Sequence, residues 1–136
     1  MHILYHKTVF SAAHRYWDNS LDAKENFIKF GKYSRIHGHN FSVIIGIQGN
    51  IDSENGMLMD FFKIEKLMEE KIITPYDTNY INEADLFFET KLPTTENLAV
   101  YFYQELKDQF PENVTLISVE VAENDDFSSR YEIGRN

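Results

Sequence analysis

Three histidines have the spacing that a metal site requires. His37 and His39 stand two residues apart at the start of the alternating apolar run 41–47. Alternate residues of a strand point the same way and lie about 6.5–7 Å apart, so these two imidazoles can converge on one ion. His14 ends the inward face of a second predicted strand. Three imidazoles from two neighbouring strands suit Zn²⁺ and leave its fourth position open, as in catalytic zinc sites. The alternative is partly buried histidines with ordinary hydrogen bonds.

An acidic residue extends an apolar face of another predicted strand. Ile117, Val119 and Val121 share one face of the strand 114–122, and Glu123 is the next residue of the same parity. Burying a carboxylate is costly unless it is paired or hydrogen-bonded. A cyclic N–C–N donor edge, which offers two donors to two carboxylate oxygens, would be a suitable partner. The other possibility is that the strand ends first and Glu123 turns into solvent.

Strands with period-two patterning are needed to position these groups. Apolar residues alternate in three long segments, 2–14, 39–49 and 114–122, which is typical of strands. Two shorter strands are predicted at 57–59 and 130–133. The polar segment between the first two long strands, residues 15–36, is predicted to be a long loop, which is unusual in a compact domain unless it has a function.

Two helices are predicted between the strands. Asp60 can cap a helix that runs to about Ile72, and Thr94 or Thr95 can cap a second helix that Pro111 ends. The apolar positions that recur at helical spacing are Phe61, Ile64, Met68 and Ile72 in the first helix and Leu98, Phe102, Leu106 and Phe110 in the second. Strands with two intervening helices predict an α+β fold with a largely antiparallel sheet.

Length, charge and composition narrow the class of protein. The chain of 136 residues is the size of one domain, residues 1–136, and it contains no cysteine. A net charge of −9 argues against a nucleic-acid partner, which needs a basic surface. The sequence has no long apolar run and no signal-peptide pattern, so we expect no membrane partner and a cytoplasmic location. Residues 1–35 hold six basic and three acidic side chains, which suits either a small anionic ligand or a solvated surface.

Five segments together resemble the 6-pyruvoyltetrahydropterin synthase and 6-carboxytetrahydropterin synthase family. They are VFSAAHRY, FGKYSRIHGHNFSV, GMLMDFFKIEKLMEE, PYDTNY and TTENLAVYFYQEL. The resemblance runs from about residue 5 to residue 124, and the combination of FSAAH, HGHN, GMxMDF and PTTEN in this order is specific to that family. It implies a lyase of pterin cofactor synthesis.

The resemblance also implies a fold, an assembly and a substrate. It implies the tunnelling fold, in which an antiparallel sheet packs two helices on one side and subunits join through their sheets into a β-barrel. Homo-hexamers, built as dimers of trimers with active sites between subunits, are expected. The implied substrate is 7,8-dihydroneopterin triphosphate.

Site residues also follow from the resemblance. His14, His37 and His39 would be the ligands of Zn²⁺. Glu123 would hold the pterin ring, and Thr94 and Thr95 would lie beside that pocket. The amino-pyrimidine edge of a pterin is an N–C–N donor edge, so it could donate two hydrogen bonds to the carboxylate of Glu123.

Two catalytic positions depart from the family pattern. Tyr33 stands where the family has its cysteine base, and Thr78 stands where it has the histidine that follows Asp77. A cysteine, with a reference pKa of about 8.5, is a usable base near neutral pH, whereas a tyrosine, at about 10, is not unless its pKa is shifted. A nearby cation such as Zn²⁺ would favour the phenolate. Lys24, Lys29, Lys32 and Arg35 flank the site in sequence and could meet a triphosphate.

Three hypotheses follow from these departures. In the first, Tyr33 is the acid or base, Asp77 assists it, and the enzyme acts on 7,8-dihydroneopterin triphosphate or a close relative. In the second, zinc drives the retro-aldol cleavage of a dihydroneopterin-type side chain, with Asp77 or a zinc-bound water as the base. In the third, the protein binds a pterin without converting it.

Overall fold

Four strands form one antiparallel sheet in the computed structural model, which describes residues 1–134. In the spatial order of the sheet they are β1 (His2–His14), β2 (His37–Gly49), β3 (Thr115–Ala122) and β4 (Ser128–Glu132). The antiparallel sheet and the α+β class predicted from the sequence are therefore confirmed. Within the described residues, no helix is long and apolar enough to cross a lipid bilayer.

Helices occupy the connections between the strands. They are α1 (Ala23–Phe30), α2 (Phe61–Met68), α3 (Thr74–Tyr76), α4 (Phe87–Thr90) and α5 (Thr95–Leu106). A 3-10 turn at Gly31–Ser34 leads into β2, a π-helical turn at Glu69–Ile73 joins α2 to α3, and a second 3-10 turn lies at Ile81–Glu83.

The two longest stretches of helix, around α2 and α5, cover one face of the sheet. Phe10 of β1 stacks on Phe41 of β2 at 5.3 Å between ring centroids and meets Phe102 of α5 edge-on at 6.2 Å. Ile64 and Met68 of α2 are fully buried in the same core. Each such fully buried apolar side chain contributes about 1.5–3 kcal/mol, so this core fixes how the strands and helices lie together. The sheet's inward face, which also carries the three histidines, is thereby held in place.

Both predicted helices are present, with different ends. The Asp60 side chain accepts a hydrogen bond from the backbone N–H of Phe62 and caps α2. Phe61 was expected on the core face and is 61% exposed, so that assignment is wrong. The regular helix stops at Met68, because the π-helical turn then carries the chain past Ile72.

The Thr94 side chain caps α5 by accepting from the backbone N–H of Asn97 at 3.1 Å. The helix ends at Leu106, several residues before Pro111, so the expectation that proline ends it is wrong. Phe110 lies beyond the helix and packs, half-buried, against the edge of the core.

Residues 15–36 are not a loop, contrary to the sequence prediction. Asp22 caps α1 in a capping box. Its side chain accepts a hydrogen bond from the backbone N–H of Glu25, and the Glu25 side chain accepts one from the backbone N–H of Asp22. The Asn26 side chain is fully buried and donates to the carbonyls of Asp18, Leu21 and Asp22. Polar contacts rather than an apolar stripe hold this helix, so hydrophobic patterning does not reveal it.

Three strand predictions need correction. Residues 57–59 form no strand, because the backbone of Met57 bonds to Asp52 within a tight turn. The last strand spans Ser128–Glu132 instead of 130–133. A β-bulge in β3 adds Ile117 between the paired positions Leu116 and Ser118, so Leu116 replaces it on the core face.

Candidate metal and pterin site

The strand register brings the three histidines together. His14 and His37 are direct cross-strand partners at one end of the β1–β2 ladder, and His39 lies opposite Ala12. One ligand nitrogen from each imidazole lies within 4.8 Å of the other two. The ring centroids are 4.6 Å apart for His14 and His37, and 5.1 Å and 5.0 Å apart for the pairs with His39. His14 is fully buried and the other two are half-buried.

Backbone carbonyls orient two of the rings. The Nδ1 atom of His14 lies 2.9 Å from the carbonyl oxygen of Pro93, and the Nδ1 atom of His37 lies 2.7 Å from that of Arg35. A carbonyl can only accept, so each Nδ1 carries the proton and each Nε2 presents a lone pair. Metal-binding histidines are commonly oriented in this way, by a hydrogen bond from the ring nitrogen that does not bind the metal.

The site contains polar atoms that are buried and have no hydrogen-bond partner among residues 1–134. They are Nε2 of His14, Nε2 of His39 and Oε2 of Glu123. Buried polar atoms in native proteins are nearly always satisfied, so several orphans facing one space indicate a missing partner. Nitrogen and carboxylate donors in this number fit a divalent cation such as Zn²⁺.

Burial keeps His14 and His39 in the neutral form that binds metals. Burial lowers the pKa of His14 to about 4, against the opposing effect of the Pro93 carbonyl and with additional lowering by His37 and His39. Burial also lowers the pKa of His39, while the Glu123 carboxylate opposes that shift. Both imidazoles are therefore neutral near pH 7, as metal ligation requires.

Glu123 turns into the protein rather than into solvent. It directly follows β3, and its side chain is 12% exposed. Its Oε2 atom lies 3.7 Å from Nε2 of His14 and 3.8 Å from Nε2 of His39. The solvent-facing alternative is thus wrong, and the carboxylate shares the histidine space.

The other predicted site residues lie at different distances from this centre. The ring of Tyr33, in the 3-10 turn before β2, is 6.1 Å from the ring of His37 and is 42% exposed. Asp77 lies at the outer edge of β1, where its side chain accepts from the backbone N–H of Ser11 at 2.9 Å. Within residues 1–134, Asp77 makes no hydrogen bond or ion pair with Tyr33 or the histidines. One copy of the chain therefore joins Tyr33 to the histidine cluster but leaves Asp77 apart.

Thr94 and Thr95 follow the proline whose carbonyl holds His14. The hydroxyl of Thr95 is buried and lies 2.7 Å from the hydroxyl of Ser129, and both hydroxyls donate to the Glu96 carboxylate at 3.0 Å and 2.7 Å. These bonds, that from Ser129 foremost, lower the pKa of Glu96. The start of α5 is thereby tied to β4 beside the site.

Comparison with known proteins now adds to this geometry. Residues 3–133 match the family model described as 6-pyruvoyl tetrahydropterin synthase. The chain belongs to that family. The human 6-pyruvoyl tetrahydrobiopterin synthase is 38% identical over 118 residues, which cover 85% of this chain and 81% of the human one.

Two further relatives bear on the fold and the chemistry. The structure of 6-pyruvoyl tetrahydropterin synthase from Caenorhabditis elegans is 31% identical and covers 98% of both chains with a TM-score of 0.81. The dihydroneopterin monophosphate aldolase of Pyrococcus furiosus is 27% identical over 105 residues, which cover 76% of this chain and 77% of the aldolase. The family resemblance read from the sequence motifs is therefore confirmed.

Tyr16 belongs to the site of this family member, and the sequence analysis missed it. Its ring lies 5.7 Å from His14 and 5.7 Å from Tyr33, and its backbone N–H donates to the carbonyl of Tyr33 at 2.7 Å. Burial raises the pKa of Tyr16 to about 12, and the nearby carboxylates of Glu123 and Glu96 act in the same direction. No strand pattern marks this residue, because Tyr16 lies beyond the end of β1, where alternation no longer applies.

Three of the basic residues that flank the site in sequence, Lys29, Lys32 and Arg35, contact different side chains in the structure. Lys29 pairs with Asp18 at 3.3 Å, and Arg35 lies over the ring of Phe27 at 5.3 Å. The Nζ atom of Lys32 lies over the ring of Tyr33, a candidate site residue, at 5.4 Å from the ring centroid.

Proposed function

We propose that the protein is a zinc-dependent lyase of the 6-pyruvoyl or 6-carboxytetrahydropterin synthase type. Its substrate is 7,8-dihydroneopterin triphosphate or a close relative, from which it eliminates triphosphate with rearrangement or cleavage of the side chain. The observation that carries this proposal is the convergence of the three imidazoles, with the Glu123 carboxylate beside His14 and His39. Within residues 1–134, the facing atoms of His14, His39 and Glu123 are buried without a hydrogen-bond partner. Membership of a pterin-synthase family supplies the substrate class.

His14, His37 and His39 are the proposed zinc ligands. Three imidazole ligands would leave a coordination position for substrate, as in catalytic zinc sites. With zinc bound by these residues, a substrate hydroxyl that reached the ion would have a lowered pKa. The hydrogen bonds from Nδ1 of His14 and His37 keep two of the ligands oriented before substrate arrives.

Glu123 is the proposed anchor of the pterin ring. Its two carboxylate oxygens can accept from two adjacent N–H donors, which is the pattern on the amino-pyrimidine edge. Thr94 and Thr95 lie next to His14 through Pro93 and are proposed to line the same pocket. Because Glu123 is largely excluded from water, such bonds would be stronger than at the surface.

Tyr33 is the proposed proton carrier. Its ring lies beside His37 and remains partly exposed, so its hydroxyl can exchange protons between the substrate and solvent. Asp77 is the proposed second catalytic group. Because it lies at the outer edge of β1, away from the histidines of its own chain, its action requires a neighbouring subunit.

The uncovered sheet face supports such an assembly. Ile3, Tyr5 and Val9 are exposed on β1, on the face opposite the helices. We propose a single cytoplasmic domain over residues 1–136 that forms a homo-hexamer, a dimer of trimers, with sheets closing into a barrel. Exposed apolar side chains on a sheet are common where subunits join.

A second candidate function is retro-aldol cleavage of a dihydroneopterin-type side chain. The observation that favours it is the similarity to the Pyrococcus aldolase, together with the tyrosine and threonine at positions 33 and 78. In this reaction the bond between the first two carbons of the three-carbon side chain breaks. The ring keeps a hydroxymethyl group, and the phosphate stays on the two-carbon aldehyde that leaves.

The test is to incubate the zinc-loaded protein with 7,8-dihydroneopterin triphosphate and, separately, with its monophosphate, and to identify products by mass. Free inorganic triphosphate supports the first function. A hydroxymethyl pterin with a phosphorylated aldehyde fragment supports the second. Absence of any product, together with tight pterin binding, would overturn both in favour of a pterin-binding protein.

A further inference from the structure

Glu123 and His14 present lone pairs to one another without a proton between them. Nε2 of His14 is unprotonated, because Nδ1 of the same ring donates to Pro93. The carboxylate oxygen Oε2 of Glu123, also an acceptor, lies 3.7 Å away, and 3.8 Å separates it from Nε2 of His39. These distances exceed the hydrogen-bond range. Facing lone pairs are unfavourable unless a cation lies between them.

We propose that Glu123 is an exchangeable metal ligand, which completes the shell of the ion held by His14, His37 and His39 when no pterin is bound. This inference rests on the metal site of the proposed function. Zinc binds carboxylate oxygen as well as imidazole nitrogen and is commonly four-coordinate. Three imidazoles and Glu123 supply four ligands, so the resting centre is closed.

Glu123 cannot bind the metal and anchor the pterin ring at the same time. A carboxylate oxygen that faces His14 and His39 is directed at the metal space, and the pterin anchor must direct its oxygens at the ring edge. A substrate hydroxyl also needs the position that Glu123 fills. Binding of the pterin therefore moves the carboxylate from the metal to the ring, and this exchange opens the metal only when the correct ring is present.

The position of Glu123 in the fold permits this movement. It is the first residue after β3, in the segment 123–127 that leads to β4, and its backbone N–H bonds to the carbonyl of Phe127 at 3.2 Å. The strand pairing ends one residue earlier, at Ala122 with Ser128. The side chain can change rotamer without breaking any of the ladder hydrogen bonds between β3 and β4.

A chelator competition measures the first consequence. Zinc affinity is compared for the wild type, Glu123→Ala and the near-isosteric Glu123→Gln, with Glu120→Gln as the matched control. Glu120 lies on the same strand and faces Arg130 at 3.7 Å, away from the site. Loss of Glu123 should weaken zinc binding by about tenfold or more, since even partners outside the ligand shell are worth about 10–100-fold. The control should stay within about twofold.

The second consequence is spectroscopic. In the cobalt-substituted protein, Glu123→Ala should change the visible absorption spectrum relative to wild type, and saturation with 7,8-dihydroneopterin should make the two spectra converge. If the wild type binds cobalt and zinc but Glu123→Ala and Glu123→Gln alter neither affinity nor spectrum, the exchangeable-ligand role is wrong and the three-histidine site stands. If the wild type binds no metal, both the three-histidine metal site of the proposed function and the exchangeable-ligand role of Glu123 are wrong. Far-ultraviolet circular dichroism checks folding, and Glu123→Gln carries the test if the alanine variant is unfolded.

Discussion

Tyr33 lies beside His37, with 6.1 Å between the ring centroids. The short turn that carries Tyr33 leads directly into the strand that carries two of the proposed metal ligands. The same turn is fastened to the end of β1 by the backbone bond between Tyr16 and Tyr33. Tyr33 departs from the family pattern, yet the backbone of the turn before β2 and its bond to Tyr16 hold it beside His37.

The first prediction concerns the hydroxyl of Tyr33. Tyr33→Phe keeps the ring and removes the proton-carrying group, so turnover of 7,8-dihydroneopterin triphosphate should fall by about 100-fold or more, the usual contribution of a positioned acid or base. Steady-state kinetics measures the fall, and zinc content should not change. Tyr103→Phe is the matched control, since Tyr103 packs against Tyr131 between α5 and β4. Full activity in Tyr33→Phe would remove Tyr33 from the mechanism.

The second prediction concerns zinc and stability. An ion that binds the folded chain should raise the free energy of unfolding by about 2.7 kcal/mol when free zinc is about 100 times Kd. Thermal unfolding with and without zinc measures this gain as a rise in Tm. His39→Gln should abolish the rise, while His2→Gln, an exposed position at the far end of β1, should retain it. An equal rise in both variants would place the zinc elsewhere.

The third prediction concerns pH and the metal-free protein. Burial lowers the pKa of His14 from 6.5 to about 4. Between these values the unfolded chain binds the proton and the folded chain does not, so stability falls as the pH falls. The loss for this group is about 1.4 kcal/mol per pH unit, and it is absent above about pH 6.5. Urea unfolding of the metal-free protein at several pH values measures this slope. His14→Gln should show a shallower slope, and an unchanged slope in that variant would contradict the assignment.

The fourth prediction concerns the phosphate end of the substrate. Lys32 is the basic residue that contacts the ring of Tyr33. Lys32→Glu should weaken binding of a triphosphorylated pterin by about tenfold, or about 1.4 kcal/mol, and leave binding of an unphosphorylated pterin nearly unchanged. Isothermal titration with both ligands measures the difference. Lys63→Glu, on an exposed position of α2, serves as the charge-reversal control. Equal affinities for the triphosphate in Lys32→Glu and the wild type would exclude a role for Lys32.

The inward position of each histidine could be predicted from the sequence, because strand periodicity places alternate residues on one face. The register that sets His14 opposite His37 does not follow from that periodicity. The same reasoning failed at Ile117, since a bulge shifts the parity of a strand and leaves no simple pattern in the residues. It also failed for α1, which is held by the buried Asn26 side chain rather than by an apolar stripe.

The rest of the site depends on contacts between distant segments. Tyr16 stands beyond the end of β1, where strand alternation no longer applies, and only the packing against His14 and Tyr33 reveals its place. The position of Asp77 follows from backbone bonds to Ser11 at the outer edge of β1, which no local pattern encodes. Motif resemblance identified Asp77 as a candidate, and strand parity together with that resemblance identified Glu123. The structure locates Asp77 at the edge of β1 and Glu123 facing the histidines.

Zinc titration of the metal-stripped protein, followed by its turnover of 7,8-dihydroneopterin triphosphate, tests the central claim most directly. Product formation should be absent without metal, rise in proportion to added zinc, and level off at about one ion per chain, as expected for one three-histidine site in each copy. Turnover that persists after chelation, or that is unchanged in His39→Gln, would contradict the account.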